Sequence, residues 1–585
     1  MKINQKMYPC ENFQPVKHVC LFLVFLCALG LLGGAPIQAE VLAQYPINDR
    51  LAAKIEDRKD KNAFFCQGEL VCGIAEMPIF YRRRNFSPAW FDTDLNFALA
   101  EKLVAAIKES EAEGLNPQDY HLARLKSIVM EMRGQQATNI PVDQNLLVDL
   151  DILLTDAFLM LGSHYRAGRV NPETIHAEWS VFVPEVDMSA KLQEALDTGQ
   201  ISPVLKTLLP PHAGYKKLRQ ALAELKKLRD KGGFVAIPDG STLREGDSGI
   251  WVVLLRRHLW ARRDFESANE MFSNPDHDDY FFDAALTEAV KRFQKRHGLE
   301  TDGAVGRRTL AALNVTIEDR IHQAKLNLER WRWIPHDLGL RYVLVNIADF
   351  KLTVFEADQP VMDMRVVVGR NYRETPVFSA PMRYIVVNPF WNVPQSLATK
   401  DILPKLKVDP DYIVTKKIKV FEGWYDNAQQ LDPTLIDWSA VSPTNFRYKL
   451  RQDPGELNAL GRIKFMFPNK HAVYLHDTPA KSLFKKIRRG YSSGCIRLEK
   501  PFDLAAYLLA ENKNWSSESF KMAIEKGQRR IFQIESPTMV HLLYWTAWMG
   551  SDGRIQFRND IYDRDSPLAL ALESQQPIKS DLKKL

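Results

Sequence analysis

The sequence predicts a multidomain α+β chain: a helical domain, then a small helical module, then a mainly-β domain. Three observations predict it. The chain has 585 residues, 45% of them hydrophobic and 26% charged, enough apolar material for several cores. Apolar residues recur at three- and four-residue spacing through the first half. From Tyr342 onward the texture changes to short β-branched or alternating runs between turn residues.

The first forty residues have another character. Lys2, Lys6 and Lys17 precede an uncharged apolar run, Val19 to Leu32, that passes through Gly33-Gly34 to Ala39. This is the pattern of an export signal over residues 1–39. The run is shorter than the roughly 20 apolar residues a spanning helix needs, although Gly33 to Ile37 can extend it into an uncleaved anchor. Removing the segment lowers the net charge from +6 to about +4, and no long Lys/Arg block marks a nucleic-acid surface. Of six cysteines, Cys10, Cys20 and Cys27 lie in this segment. Cys66 and Cys72 are either a disulfide or two small buried side chains. Cys495 stands alone.

Residues 64–235 read as a helical domain, with periodic runs at Ala98–Glu113 and Asn145–Arg166 stopped by Gly114 and Gly168. Residues 242–315 form a compact segment of short amphipathic helices joined by glycine turns. It opens Leu243-Arg244-Glu245-Gly246-Asp247-Ser248-Gly249, continues with Val252, Leu255 and Leu259, and closes with His297-Gly298-Leu299, Asp302-Gly303 and Val305-Gly306. This pattern resembles the peptidoglycan-binding module, a three-helix domain, with a longer and more acidic loop at Arg262–Tyr280. Such a module either binds wall polymer or serves only as a spacer.

In the β-rich part, residues 340–550, strands are expected at Tyr342–Ile347, Lys351–Phe355, Met362–Val368, Met382–Val387, Val473–His476 and Val540–Met549. Residues 395–455 interrupt the series with a stretch too long for a hairpin loop, of the kind that is usually a lid or disordered. Residues 551–585 are left as a C-terminal extension.

The chemistry concentrates in two segments, His471-Ala472-Val473-Tyr474-Leu475-His476-Asp477-Thr478-Pro479 and Ser492-Ser493-Gly494-Cys495-Ile496-Arg497-Leu498. Strand alternation puts Tyr474 and His476 on one face and turns His471 away. A cysteine after glycine in a tight turn suits a nucleophile, because the backbone there admits a substrate carbonyl and its N–H groups can face an oxyanion. His476 is the natural base for the thiol. Singly, a cysteine or histidine is more often a core or satisfied polar residue; the joint pattern decides.

That pattern resembles the active-site signature of L,D-transpeptidases with the YkuD-type catalytic domain, in its large multidomain Gram-negative (YcbB-like) branch. Phe86-Ser87-Pro88-Ala89-Trp90, Gly114-Leu115-Asn116-Pro117, Gly168-Arg169-Val170-Asn171-Pro172 and Tyr544-Trp545-Thr546-Ala547-Trp548 are similar to it as well. Ser493 stands where family members often carry histidine. The resemblance implies a helical scaffold domain, a peptidoglycan-binding module and a catalytic domain with a capping insertion at 395–455. It implies Cys495 as nucleophile, His476 as base, and Gly494 and Cys495 as oxyanion donors. Asp477 would orient the imidazole through its carbonyl or its side chain, or merely cap a turn. Tyr474 and Trp391 are active-site or core aromatics. Arg497 holds a substrate carboxylate or pairs with Glu499. The implied partners are peptidoglycan stem peptides, with other cell-wall synthases, in the periplasm; no cofactor, metal or nucleic acid is expected. The implied reaction is 3→3 cross-linking through a cysteinyl acyl-enzyme, with stem-peptide hydrolysis by the same pair or a non-catalytic wall-binding scaffold as alternatives.

Overall fold

The computed structural model describes residues 46–574 apart from 57–63, 139, 177–178, 181–184, 267–279, 426 and 513–514. The expected export signal and most of the acidic loop lie outside the described residues. Among those described, no helix is long and apolar enough to cross a membrane. The chain is a multidomain α+β protein with a helical N-terminal part, a small three-helix module and a mainly-β C-terminal part.

The helical part is organised around Gln144–Ala167, which is buried along almost its whole length. A helix buried on every side must satisfy its polar residues internally. Asp151 does so by accepting the N–H groups of Ala89 and Trp90 and the Tyr81 hydroxyl (2.9, 3.0 and 2.5 Å). Thr155 accepts the Trp90 indole N–H at 2.9 Å. The Pro88-Ala89-Trp90 segment is thereby pinned to the central helix. The two expected stops are real: Gly114 and Gly168 both have positive φ, at 81° and 84°. The Cys66 thiol is directed at the Asp149 carboxylate and the Cys72 thiol at the Leu70 carbonyl.

The small module packs Ile250–Ala261, Ala284–Arg296 and Arg307–Leu313 around Leu255, Leu259, Val290 and Phe293. Gln294 fastens its glycine turn, accepting the Gly303 N–H and donating to the Ala304 carbonyl (2.9 Å each).

In the C-terminal part the strands run Ile463–Met466, Leu475–His476, Ile496–Leu498, Gln359–Gly369, Lys351–Glu356, Arg341–Asn346, Arg530–Leu543 and Val377–Val387, in that spatial order. Ile463–Met466 also pairs with Val377–Val387, so the sheet closes on itself and leaves no long edge. Its interior is filled by Val343, Val345, Val354, Ile385, Leu475 and Ile496, all fully buried. Two expected strands differ. Ladder pairing begins only at Leu475, because Ala472 has φ 52° and the Asn469 side chain takes up the N–H groups of His471 and Val473. The last strand starts earlier, at Arg530, and stops at Leu543; Ala547–Met549 belongs instead to a hairpin with Ile555–Phe557. Residues 395–455 have structure of their own. Ile418–Phe421, Gln430–Leu431 and Lys449–Gln452 join Trp391–Asn392 in a separate sheet over a core containing Leu406, Val420 and Leu450.

The helical and β parts meet at helix Ile317–Arg332. Its buried Arg332 bonds the Glu113 carbonyl and pairs with Glu329 at 2.8 Å, while Glu329 accepts the Val170 N–H at 2.9 Å. Gly168 lies against this joint: a Cβ there would meet Glu329 Oε1 and Trp333 Nε1, each at 2.6 Å. Positive φ and lost space act together, so Gly168→Ala is expected to destabilise the protein by about 2 kcal/mol. The check is the urea midpoint, and an unchanged midpoint would refute the close fit.

Candidate active site

Alternation along two short strands builds the site. Leu475 and Ile496 point into the closed sheet and are fully buried. Their neighbours Tyr474, His476, Cys495 and Arg497 therefore project from its outer face. The strands run parallel with Leu475 opposite Ile496 and His476 opposite Arg497. This register sets Cys495 beside Tyr474, with His476 one step along the diagonal. The aromatic rings of Tyr474 and His476 meet edge to face at 5.6 Å. His471 is turned away, against Phe378 at 5.3 Å.

The turn before the cysteine needs glycine. Gly494 has φ 108°, and a Cβ there would come within 3.3 Å of the Glu374 carbonyl. Ser492 holds the turn from inside by donating to the Cys495 carbonyl and accepting the Gly494 N–H (2.5 and 3.2 Å). The Gly494 N–H expected to face an oxyanion is thus already engaged. Among the described residues the Cys495 N–H has no such partner. Behind the turn, residues 369–375 are sewn to it: Arg370 N–H donates to the Ser492 carbonyl at 3.1 Å, and Thr375 Oγ1 to the Gly494 carbonyl at 2.8 Å. Arg373 donates to the exposed Ser493 hydroxyl at 3.1 Å and pairs through both terminal nitrogens with Asp401 of the insertion. The C-terminal segment buttresses the same loop, because Tyr562 donates to the Gly369 carbonyl and Arg564 pairs with Glu374 (2.7 and 2.6 Å).

The Asp477 alternatives separate cleanly. His476 Nδ1 lies 2.5 Å from the Asp477 backbone oxygen. A carbonyl only accepts, so Nδ1 carries the proton and Nε2 keeps a free lone pair. The Asp477 carboxylate is occupied elsewhere, by the Arg462 N–H and Lys481 (2.8 and 2.5 Å). Burial, then the charges of Arg497 and Lys464, hold His476 down to about 3 against the pull of the Asp477 carbonyl. Burial pushes the Cys495 thiol up, opposed by the backbone and hydroxyl of Tyr474 and then by Lys464 and Arg497. Burial also raises the Tyr474 hydroxyl well above its ordinary value, so it stays a proton donor.

Of the two alternatives for Arg497, the pair with Glu499 is not formed. Glu499 lies across the ladder from Arg365 and accepts its N–H and guanidinium (3.0 and 2.9 Å). Arg497 Nε is buried without a hydrogen-bond partner. Trp391 sits apart, packed on the insertion's apolar core. Lys464 is a member the sequence did not flag: it faces His476 across the ladder, and its Nζ lies 3.7 Å from the Tyr474 ring centroid. A lysine between the apolar neighbours Ile463 and Phe465 was its only sequence signal. Among the described residues no group of three or more His, Cys, Asp or Glu side chains is arranged to hold a metal ion.

Residues 340–522 match the model of the YkuD family, the L,D-transpeptidase catalytic domain. The chain carries a YkuD domain. Residues 75–222 match a family described as "Scaffold domain", and 263–313 one described as "Putative peptidoglycan binding domain". The chain is 37% identical over 246 residues, 42% of its own length, to a Haemophilus influenzae protein called "Putative L,D-transpeptidase". It spans about half that relative, 48% of its length. Among solved structures, an L,D-transpeptidase from Stackebrandtia nassauensis is 13% identical, with 53% of this chain and 97% of that one covered at TM-score 0.19. One from Xylanimonas cellulosilytica is 15% identical, with 52% and 98% covered at TM-score 0.15. At such scores neither bears on the arrangement of the YkuD domain.

With the thiol pushed up and the imidazole at about 3, both groups are neutral at pH 7. A raised thiol loses its proton only at higher pH, so iodoacetamide alkylation of Cys495, followed by peptide mapping, is expected to keep rising beyond pH 9 with no step near pH 6. A plateau by pH 7 would instead show a resting thiolate–imidazolium pair.

Proposed function

We propose that this protein is a peptidoglycan L,D-transpeptidase forming 3→3 cross-links through an acyl-enzyme on Cys495. The reading is supported above all by a lone cysteine and a neutral, oriented imidazole on one face of a YkuD domain. The donor is a tetrapeptide stem. As the Cys495 sulfur attacks the carbonyl of its third residue, His476 Nε2 accepts the thiol proton. The C–N bond to the terminal D-alanine then breaks, and the same proton leaves on the D-alanine amine. The side-chain amine of a third residue on another stem attacks the thioester and gives a proton to His476; the C–S bond breaks, and His476 passes that proton to the departing sulfur, restoring the thiol. A neutral thiol and imidazole at rest suit this sequence, since the proton moves only as the new bond forms.

The Cys495 N–H and the Tyr474 hydroxyl are the donors we assign to the developing oxyanion. Arg497, free of Glu499, is assigned a substrate carboxylate. Ser493 links the nucleophile turn to the insertion through Arg373, and residues 395–455 act as the substrate cap. The peptidoglycan-binding match supports a wall polymer as the surroundings of the reaction, and hence a periplasmic site of action with other cell-wall synthases nearby.

Incubation of the purified protein with disaccharide-tetrapeptides and chromatography of the products tests the reading. A dimer carrying a 3→3 linkage is expected, lost by at least about a hundredfold in His476→Ala. Trimmed monomer alone would make the protein a hydrolase using the same residues, and no product at all would leave a wall-binding scaffold.

A further inference from the structure

Lys464 occupies an unusual position for an ammonium group. Its strand neighbours Ile463 and Phe465 are fully buried, and its own side chain stands on the face that carries Cys495. The Nζ rests 3.7 Å from the Tyr474 ring centroid, within cation–π range. Among the described residues no carboxylate pairs with it. The charged or ionisable groups that act on it are Cys495 and Arg529. Cys495 in turn is faced by Tyr474, Lys464 and Arg497, with Arg370 acting on Arg497 and His476 held beside Tyr474. Lys464 and Arg497 thus bring positive charge to Cys495 from two strands, and among the described residues no carboxylate pairs with either.

A half-buried cation without a counter-ion is expensive to maintain. It becomes intelligible if an anion appears beside it during turnover, and Cys495 is where one would appear. We infer that Lys464 is a positioning residue of the reaction centre: seated on the Tyr474 ring, its ammonium is the resident counter-charge for the negative charge that develops at Cys495, and it fixes the Tyr474 hydroxyl next to the sulfur. Burial also holds the ammonium below the usual lysine range, so the charge is already partly desolvated before substrate arrives. No proton passes through Lys464; the thiol proton still goes to His476. The inference rests on Cys495 being the reactive thiol, and extends that reading to a residue on a third strand.

The test is the pH profile of Cys495 alkylation by iodoacetamide, mapped to its peptide, in wild type, Lys464→Met and Lys464→Arg. Loss of the charge is expected to slow alkylation at pH 8 by about tenfold and to move the profile upward. Lys464→Arg should stay within about twofold of wild type, because an arginine also carries the charge and stacks on tyrosine. In the cross-linking assay Lys464→Met should lower kcat with KM little changed. A methionine or glutamine variant that unfolds at the wild-type temperature yet superimposes on the wild-type alkylation profile would overturn the inference. If Lys464→Met proves unstable, Lys464→Gln carries the same comparison. The alkylation profile reads the charge at the sulfur whether or not cross-links form. An unchanged profile with intact dimer formation therefore sinks the role of Lys464 alone, and a shifted profile without any dimer sinks the transpeptidase reading alone.

Discussion

The parallel pairing of Leu475–His476 with Ile496–Leu498 is the constraint on which the site depends. Side chains alternate along each strand, so a slip of one residue would send the reactive group into the core and its apolar neighbours outward. Leu475 and Ile496 resist that slip because both are fully buried inside the closed sheet. The packing of two aliphatic side chains thereby decides that a thiol, an imidazole, a phenol and a guanidinium share the outer face. Gly494 ends the preceding turn in a backbone conformation that only glycine adopts cheaply. The loop at 369–375 supports that turn from behind, and its Arg373 carries the connection outward to Asp401 in the insertion.

Electrostatics around this face follow from burial more than from pairing. His476 is held neutral by desolvation and by two nearby cations, while the thiol is kept protonated by its own burial. An anion at the sulfur is therefore unfavourable at rest; in the proposed reaction it forms only as a base accepts the proton and the surrounding donors are engaged. The Asp477 carbonyl makes this possible by fixing the proton on Nδ1. Its carboxylate, meanwhile, belongs to the structural contacts with Arg462 and Lys481.

Much of the architecture was legible in the sequence because periodicity and glycine stops are local signals. The helices near 98–113 and 144–167 and the strands from Arg341 to Val387 emerge from spacing alone. Signals that depend on distant chain were not legible. Glu499 stands two residues from Arg497, but the ladder delivers Arg365 to it from another strand. Val473 and Tyr474 read as strand residues, yet the Asn469 side chain holds the Val473 N–H beside a left-handed Ala472 and the ladder starts only at Leu475. No local pattern shows that Ser492 folds back onto the Gly494 N–H. Lys464 joins the site only through register and Thr375 only through its hydroxyl contact with the Gly494 carbonyl, which no local pattern reveals. The stretch 395–455 is a further case: its few strands are too short to announce a sheet, and its core becomes apparent only once Trp391–Asn392 is seen to pair with Lys449–Gln452.

Covalent capture of the thiol is the most direct test of the whole account. If Cys495 is the nucleophile, as proposed, a carbapenem is expected to acylate it, and intact-mass analysis of the purified protein would read that adduct. One adduct per wild-type chain, absent from Cys495→Ala, is the predicted result. Equal labelling of both proteins would contradict the assignment of Cys495 as the nucleophile.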